Sequence, residues 1–177
     1  MIVFRTTDVD VPFFWESDRQ PAGRWHGAGE GPAQYTCSTP SAAWAEFLRH
    51  QRVSDVADLA GIRRAMWVLE IPDNEPTGRP ALPDPVLVGD ETSYPACQSE
   101  ARRLRAAGAT RIVAPSAAVL PGTPSGWTSE GELLPGPPRD EATIVLYGAR
   151  PAVVGWYAAT PGFPEPELLD RTRPLAR

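Results

Sequence analysis

The feature that most constrains this chain is its punctuation. Its 177 residues include 21 Pro and 15 Gly, and neither type sits easily inside a helix or a central strand. They cluster. Residues 72–95 carry six Pro, and residues 120–141 carry five Pro and four Gly. Such stretches cannot run on as helices or central strands. The regular structure is therefore confined to the short windows between them.

Those windows read clearly. Met1 to Thr7 (MIVFRTT) predicts an opening strand, its side chains alternating between two faces. Gln34 to Ser38 (QYTCS) predicts a second short strand. Thr39 suits a helix N-cap and Pro40 the first helical position, where its missing N–H is not needed. That helix is expected to end near Gln51, with Trp44, Phe47, Leu48 and Gln51 facing the core. Ala65 to Ile71 predicts a strand, stopped by Pro72. Val86 to Val88 is a short candidate strand inside an otherwise extended stretch. Ala96 to Ala107 predicts a helix ended by Gly108. Arg111 to Ala114, Thr143 to Tyr147 and Ala152 to Tyr157 predict further strands.

Residues 16–33 read as a loop, and residues 120–141 as a long mobile loop of the kind that forms lids. Strands and helices mix without βαβ alternation, which predicts an α+β fold. The length suits a single compact domain over 1–160, followed by a charged, loosely held tail over 161–177.

Composition excludes several functions. All 17 basic residues are Arg and the net charge is −5. A duplex nucleic-acid binder carries a basic face, whereas here the densest cluster is Arg102-Arg103-x-Arg105 on a predicted helix. No direct nucleic-acid contact is expected, but a small anionic ligand remains open. Cys37 and Cys97 form no CxxC pair, and His26 and His50 are the only histidines. A metal site is not expected. Residues 1–15 have no apolar core of the signal-peptide kind, and no apolar run approaches a membrane span. A cytoplasmic protein is the expectation.

Three features carry chemistry. Arg24 lies in the loop Gly23-Arg24-Trp25-His26-Gly27, Tyr35 in the short strand, and Glu46 on the capped helix. On a helical wheel Glu46 lies away from Trp44 and Leu48, where a solvated Glu sits. Ala42, Ala43 and Ala45 surround it, however, and such small neighbours permit a close approach. Ser116 follows Pro115 after a buried strand and reads as a turn or cap. Singly, none of these is specific. Gly27-x-Gly29-x-Gly31 lacks dinucleotide-fingerprint spacing, and neither a GxSxG elbow nor a P-loop is present.

In order, the pieces say more. Phe4-Arg5 is followed by Gly23-Arg24-Trp25, then Pro32-Ala33-Gln34-Tyr35-Thr36-x-Ser38-x-x-x-x-Ala43-x-x-Glu46, then Gly108-Ala109-x-x-Arg111-Ile112-Val113-Ala114-Pro115-Ser116-Ala117. This series resembles the RES family, named for its Arg, Glu and Ser. The resemblance implies a fold like that of the ADP-ribosyltransferase toxins, with a cleft that takes NAD. It implies a toxin of a toxin–antitoxin pair that degrades NAD by phosphorolysis or hydrolysis. NAD would then be substrate rather than cofactor, with inorganic phosphate as co-substrate and an antitoxin as protein partner. Self-association stays open. The family arginine falls on Arg24, its tyrosine on Tyr35, its glutamate on Glu46 and its serine on Ser116, with Arg5 as a further NAD-binding candidate. The family often has an arginine soon after the serine, whereas here Ala117 and Ala118 follow. Two alternatives stand beside this reading: ADP-ribosylation of a macromolecule, and a non-catalytic NAD-binding or interaction module.

Overall fold

The fold is that of a computed structural model describing residues 1–17, 19–122, 126–162, 164 and 166–175. Among the described residues, nine strands and four α-helices follow in order: β1 (Ile2–Asp8), β2 (Ala33–Cys37), α1 (Pro40–Gln51), α2 (Val56–Leu59), β3 (Arg64–Glu70), β4 (Thr77–Gly78), α3 (Asp84–Leu87), α4 (Tyr94–Ala106), β5 (Arg111–Pro115), β6 (Trp127–Ser129), β7 (Leu133–Pro135), β8 (Ala142–Tyr147) and β9 (Gly155–Gly162). Seven of these strands form one mixed sheet in the order β4-β5-β8-β2-β1-β3-β9, and β6 pairs with β7 in a separate two-stranded sheet. The class is α+β, as the unalternated order of elements predicts.

Alternation along the strands builds two faces. On one, Val3, Leu69, Ile144 and Leu146 pack with Phe14. On the other lie two separate clusters. Val145, Tyr147 and Ile112 pack under α4 with Trp25, Cys97 and Leu104. Cys37 and Met66 pack under α1 with Ala42, Ala45 and Leu48. Each fully buried side chain such as Leu48 contributes roughly 1.5–3 kcal/mol. The gap between the α1 and α4 clusters is where a ligand can enter the sheet face.

The sheet is splayed at its middle. Strands β1 and β3 pair along seven residues, but β1 meets β2 at only Phe4 and Cys37. Backbone groups freed by that divergence find side chains instead. Gln20 caps Ala33 from both sides, donating to its carbonyl and accepting from its N–H, each at 2.7 Å. Arg5 donates to the Tyr35 carbonyl at 3.3 Å.

Helix α1 begins as the sequence predicts. The Thr39 side chain accepts from the Ala42 N–H at 3.1 Å, and Pro40 opens the first turn. Its buried face differs from the expected one. Ala42, Ala43, Ala45, Leu48 and Arg49 are buried and Gln51 is exposed. Small alanines let the helix lie close on β1 and β2, so the large residues Trp44 and Phe47 end at its flank, half-buried.

Five other expectations are corrected. Val86–Val88 is not a strand, because Pro83 and Pro85 start the helical turn α3. The second long helix starts at Tyr94, with Pro95 in its first turn. The last strand is displaced to Gly155–Gly162, where it forms a bulged edge against β3. Within 120–141 the chain forms the β6–β7 hairpin, while the expectation of a mobile loop at Thr123–Ser125 falls outside the described residues. Near the C-terminus, residues 166–171 make a 3-10 turn, and its Leu168 is buried in the α1 cluster. That contact opposes a loosely held tail. Among the described residues, no helix is long and apolar enough to cross a membrane.

Candidate active site

The gap between the helix clusters is a cavity of about 320 Å³, lined by Arg24, Tyr35, Glu46 and Arg49 among others. A second cavity of about 240 Å³ adjoins it and shares Tyr35, Glu46, His50 and Thr143. A third, about 360 Å³, continues from the second through Arg5, Thr6 and Arg64. Together they form a groove over the splayed strands, with Glu46 and Tyr35 at the junction of the first two.

Glu46 is fixed at both oxygens. Oε1 accepts from Thr143 Oγ1 on β8 at 3.1 Å, and Oε2 faces His50 Nε2, one helical turn on, at 3.5 Å. Burial pushes its pKa up, but the hydrogen bonds from His50 and Thr143 and the nearby Arg49 outweigh that and hold it below its ordinary value. The carboxylate is therefore ionised at neutral pH, and 24% of its side chain remains exposed to the groove.

Tyr35 has its hydroxyl fully engaged. It accepts from the Trp25 N–H at 2.9 Å and lies 2.9 Å from His26 Nδ1. His26 Nε2 lies 2.9 Å from the Pro21 carbonyl, which can only accept. Nε2 must therefore carry the proton, and in the neutral ring Nδ1 accepts from Tyr35. The tyrosine thus offers the groove its ring rather than its hydroxyl. Burial also raises the hydroxyl's pKa well above the ordinary phenol value, which keeps it neutral.

This network sets a pH dependence. Burial lowers the His26 pKa below 6.5, against the opposing Pro21 carbonyl and Glu30. An unfolded chain takes up the proton first, so the stabilisation is full above pH 6.5 and is lost as pH falls through the folded value. The melting temperature should fall between pH 7.5 and 5, and His26→Gln should flatten that fall. Equal slopes in thermal melts of the two proteins would refute it.

Arg24 is buried at the far wall. Its guanidinium donates to Val86 O at 3.3 Å, Ser93 Oγ at 2.9 Å and Gly89 O at 2.6 Å, and it stacks 4.9 Å from the Tyr94 ring centre. Arg5 is separate from this wall. It donates to Gln34 Oε1 at 3.2 Å and to Tyr35 O, and it lines the second and third cavities. Burial lowers its pKa to about 10, so it stays charged at neutral pH.

Ser116 is placed differently. Its Oγ accepts from the Ala118 N–H at 3.2 Å, and its neighbours Pro115 and Ala117, not Ser116 itself, line the first cavity. It shapes the turn that turns the Ala117 carbonyl toward Arg49. The geometry brings Arg24, Tyr35 and Glu46 to one cavity, Arg5 to its continuation, and Ser116 behind its wall.

Sequence reasoning missed Arg49, Thr143 and Tyr94 as lining residues. Arg49 and His50 were visible as the polar residues that interrupt a small-residue helix, three and four positions after Glu46. Thr143 carried no signal, since it meets Glu46 only through the pairing of β2 with β8. Cys37 is fully buried with its thiol pushed up by burial, which removes it as a nucleophile. Among the described residues, no group of three His, Cys, Asp or Glu could hold a metal ion.

A family model described as the RES domain matches residues 3–128, a span containing Arg5, Arg24, Tyr35, Glu46 and Ser116. Among solved structures, the M. tuberculosis MbcT-MbcA toxin-antitoxin complex contains a similar chain. The TM-score is 0.56 at 15% identity, over 88% of this chain and 84% of that one. At that identity the likeness concerns the fold. No curated protein matches the chain.

Proposed function

Since the chain belongs to the RES-domain family, we propose that it degrades NAD by cleaving the bond between nicotinamide and ribose. The observation that carries this is Glu46: an ionised, doubly anchored carboxylate inside a groove that also presents an aromatic face and buried arginines. Cavities of this size fit parts of a dinucleotide, and their end-to-end arrangement suits an extended one.

The reaction needs little else. Nicotinamide is cationic in NAD and leaves neutral, carrying away the C–N bonding pair, so no general acid is required. Charge accumulates on the ribosyl carbon, as in glycoside cleavage. Glu46 faces that charge and holds a ribose hydroxyl. The Tyr35 ring supports nicotinamide or ribose. Arg24 grips the pyrophosphate or an attacking phosphate. Attack by phosphate oxygen on the ribosyl carbon gives ADP-ribose phosphate, and attack by water gives ADP-ribose, with the surplus proton going to solvent. Ser116 serves as a positioning residue through Ala117, and Arg5 holds the groove's second part.

We assign the chain the role of a toxin, with an antitoxin that fills this groove between Arg24 and Glu46. The support is the family and the fold shared with a toxin–antitoxin complex. The purified protein should consume NAD, and faster with phosphate present. ADP-ribose phosphate as product assigns phosphorolysis and ADP-ribose assigns hydrolysis. Labelled protein would instead assign macromolecular ADP-ribosylation, and unchanged NAD would overturn the enzymatic reading.

A further inference from the structure

Three aromatic rings follow one another at Phe13, Phe14 and Trp15, and two of them serve packing. Phe14 is buried with Val3 and Leu69. Phe13 packs on the Trp67 ring, 5.0 Å between centres. Trp15 has no such use. Among the described residues its ring makes no aromatic contact, and it belongs to none of the three core clusters.

The residue is nevertheless held in place. Gln34, itself 0% exposed, accepts from the Trp15 N–H through Oε1 at 2.8 Å and donates through Nε2 to the Trp15 carbonyl. Both main-chain groups are thus gripped by one buried amide. Trp15 is still 45% exposed, so the part left open is the indole.

That indole stands at one particular place. Trp15 lines the first cavity, with Tyr35 and Glu46, and the third, with Arg5 and Arg64. Among the described residues, no other borders both. The third cavity, about 360 Å³, has neither Tyr35 nor Glu46 in its lining, so bond breaking belongs elsewhere in the groove. Arg5, at the boundary of the second and third cavities, donates to the same Gln34 Oε1 at 3.2 Å. One buried side chain therefore sets the spacing between a cation and an open aromatic face. A cation and a flat ring are what the phosphate and the base of a nucleotide require.

We propose that Trp15 is a stacking platform for the purine base of the substrate, and that it makes the groove select a dinucleotide over a mononucleotide. The substrate's identity rests on the NAD-degrading reading; affinity for a purine nucleotide does not. An indole offers the largest aromatic face of any side chain, and stacking on it makes no demand on the base's hydrogen-bonding edge. A tryptophan that merely surfaces a loop would carry no purine affinity, and its loss would touch every substrate alike.

The test uses the full chain with AMP, NAD and nicotinamide mononucleotide, which has the scissile bond but no purine. Wild type should bind AMP in calorimetry. Trp15→Leu keeps apolar bulk without the ring and should weaken that binding about tenfold, the effect of losing one base–aromatic stack. Trp15→Phe should retain most of the affinity, and it covers the case in which Trp15→Leu fails to fold. In turnover, Trp15→Leu should raise the KM for NAD by a similar factor at unchanged kcat. Its kcat/KM for nicotinamide mononucleotide should equal that of wild type. Trp127→Leu, on the exposed β6–β7 hairpin, should change none of these. No AMP binding by wild type, equal AMP binding by Trp15→Leu, or an unchanged KM for NAD overturns the platform. A parallel loss for NAD and the mononucleotide does so too, since it marks a structural role. AMP binding that depends on Trp15, without any NAD loss, keeps the platform and overturns the NAD reading.

Discussion

If the chain degrades NAD as proposed, Glu46→Gln should lower NAD turnover by about 10²–10³-fold, the range expected when a pre-positioned charge facing the transition state is removed. The substitution keeps the shape, and the new amide can still accept from Thr143 Oγ1. What it removes is the negative charge, which His50, Thr143 and Arg49 keep ionised despite burial. The loss should therefore appear in kcat, with the KM for NAD little changed and the circular dichroism spectrum intact. Turnover within twofold of wild type would refute the role. His50→Ala separates charge from fold. Without His50 the carboxyl pKa rises, so the acid limb of the pH–rate profile should move to higher pH while the plateau stays high.

How much of this could be read from the sequence depends on the range of the interaction. The α1 cap was legible because Thr39 and Pro40 act within one turn. The strands at 2–8, 64–70, 111–115 and 142–147 were legible because alternation and β-branched residues mark them locally. The turn at Val86 was misread because a run of Val and Leu carries no period, and the two prolines decided it. The inward turn of Glu46 was invisible to a helical wheel. Periodicity assumes one buried face, whereas α1 also borders a cleft on a second side, made by the splay of β1 from β2. Arg173 could not have been found at all. It lies outside the matched family span and meets the Ala117 and Val88 carbonyls only because the chain returns past Ala118. Long-range pairing, not local preference, placed it there.

Trp25→Ala should be the most damaging core substitution, costing about 3–5 kcal/mol. The Gly-rich loop around it reads as solvent-exposed punctuation, yet Trp25 is 1% exposed and packs with Val145, Tyr147, Ile112 and Leu87. Its backbone holds two tyrosines, donating to Tyr35 Oη at 2.9 Å and accepting from Tyr147 Oη at 2.8 Å. A tight reversal sets it in place: Gly23 and His26 pair across it, and Gln98 donates to the Gly23 carbonyl at 2.9 Å. Gly23 itself has no room for a Cβ, which would lie 2.7 Å from Tyr35 Oη. Removing the indole opens a void between α4 and the sheet, directly beside the groove. The melting temperature should drop by roughly 6–20 °C for a chain of this size, and the KM for NAD should rise as Tyr35 loses its fixed position. Trp25→Phe, which keeps much of the volume, should lose less on both counts. A drop of under about 1 kcal/mol for Trp25→Ala in chemical denaturation would mean that the void collapses at little cost, and that this loop is a lid over the site rather than part of its core.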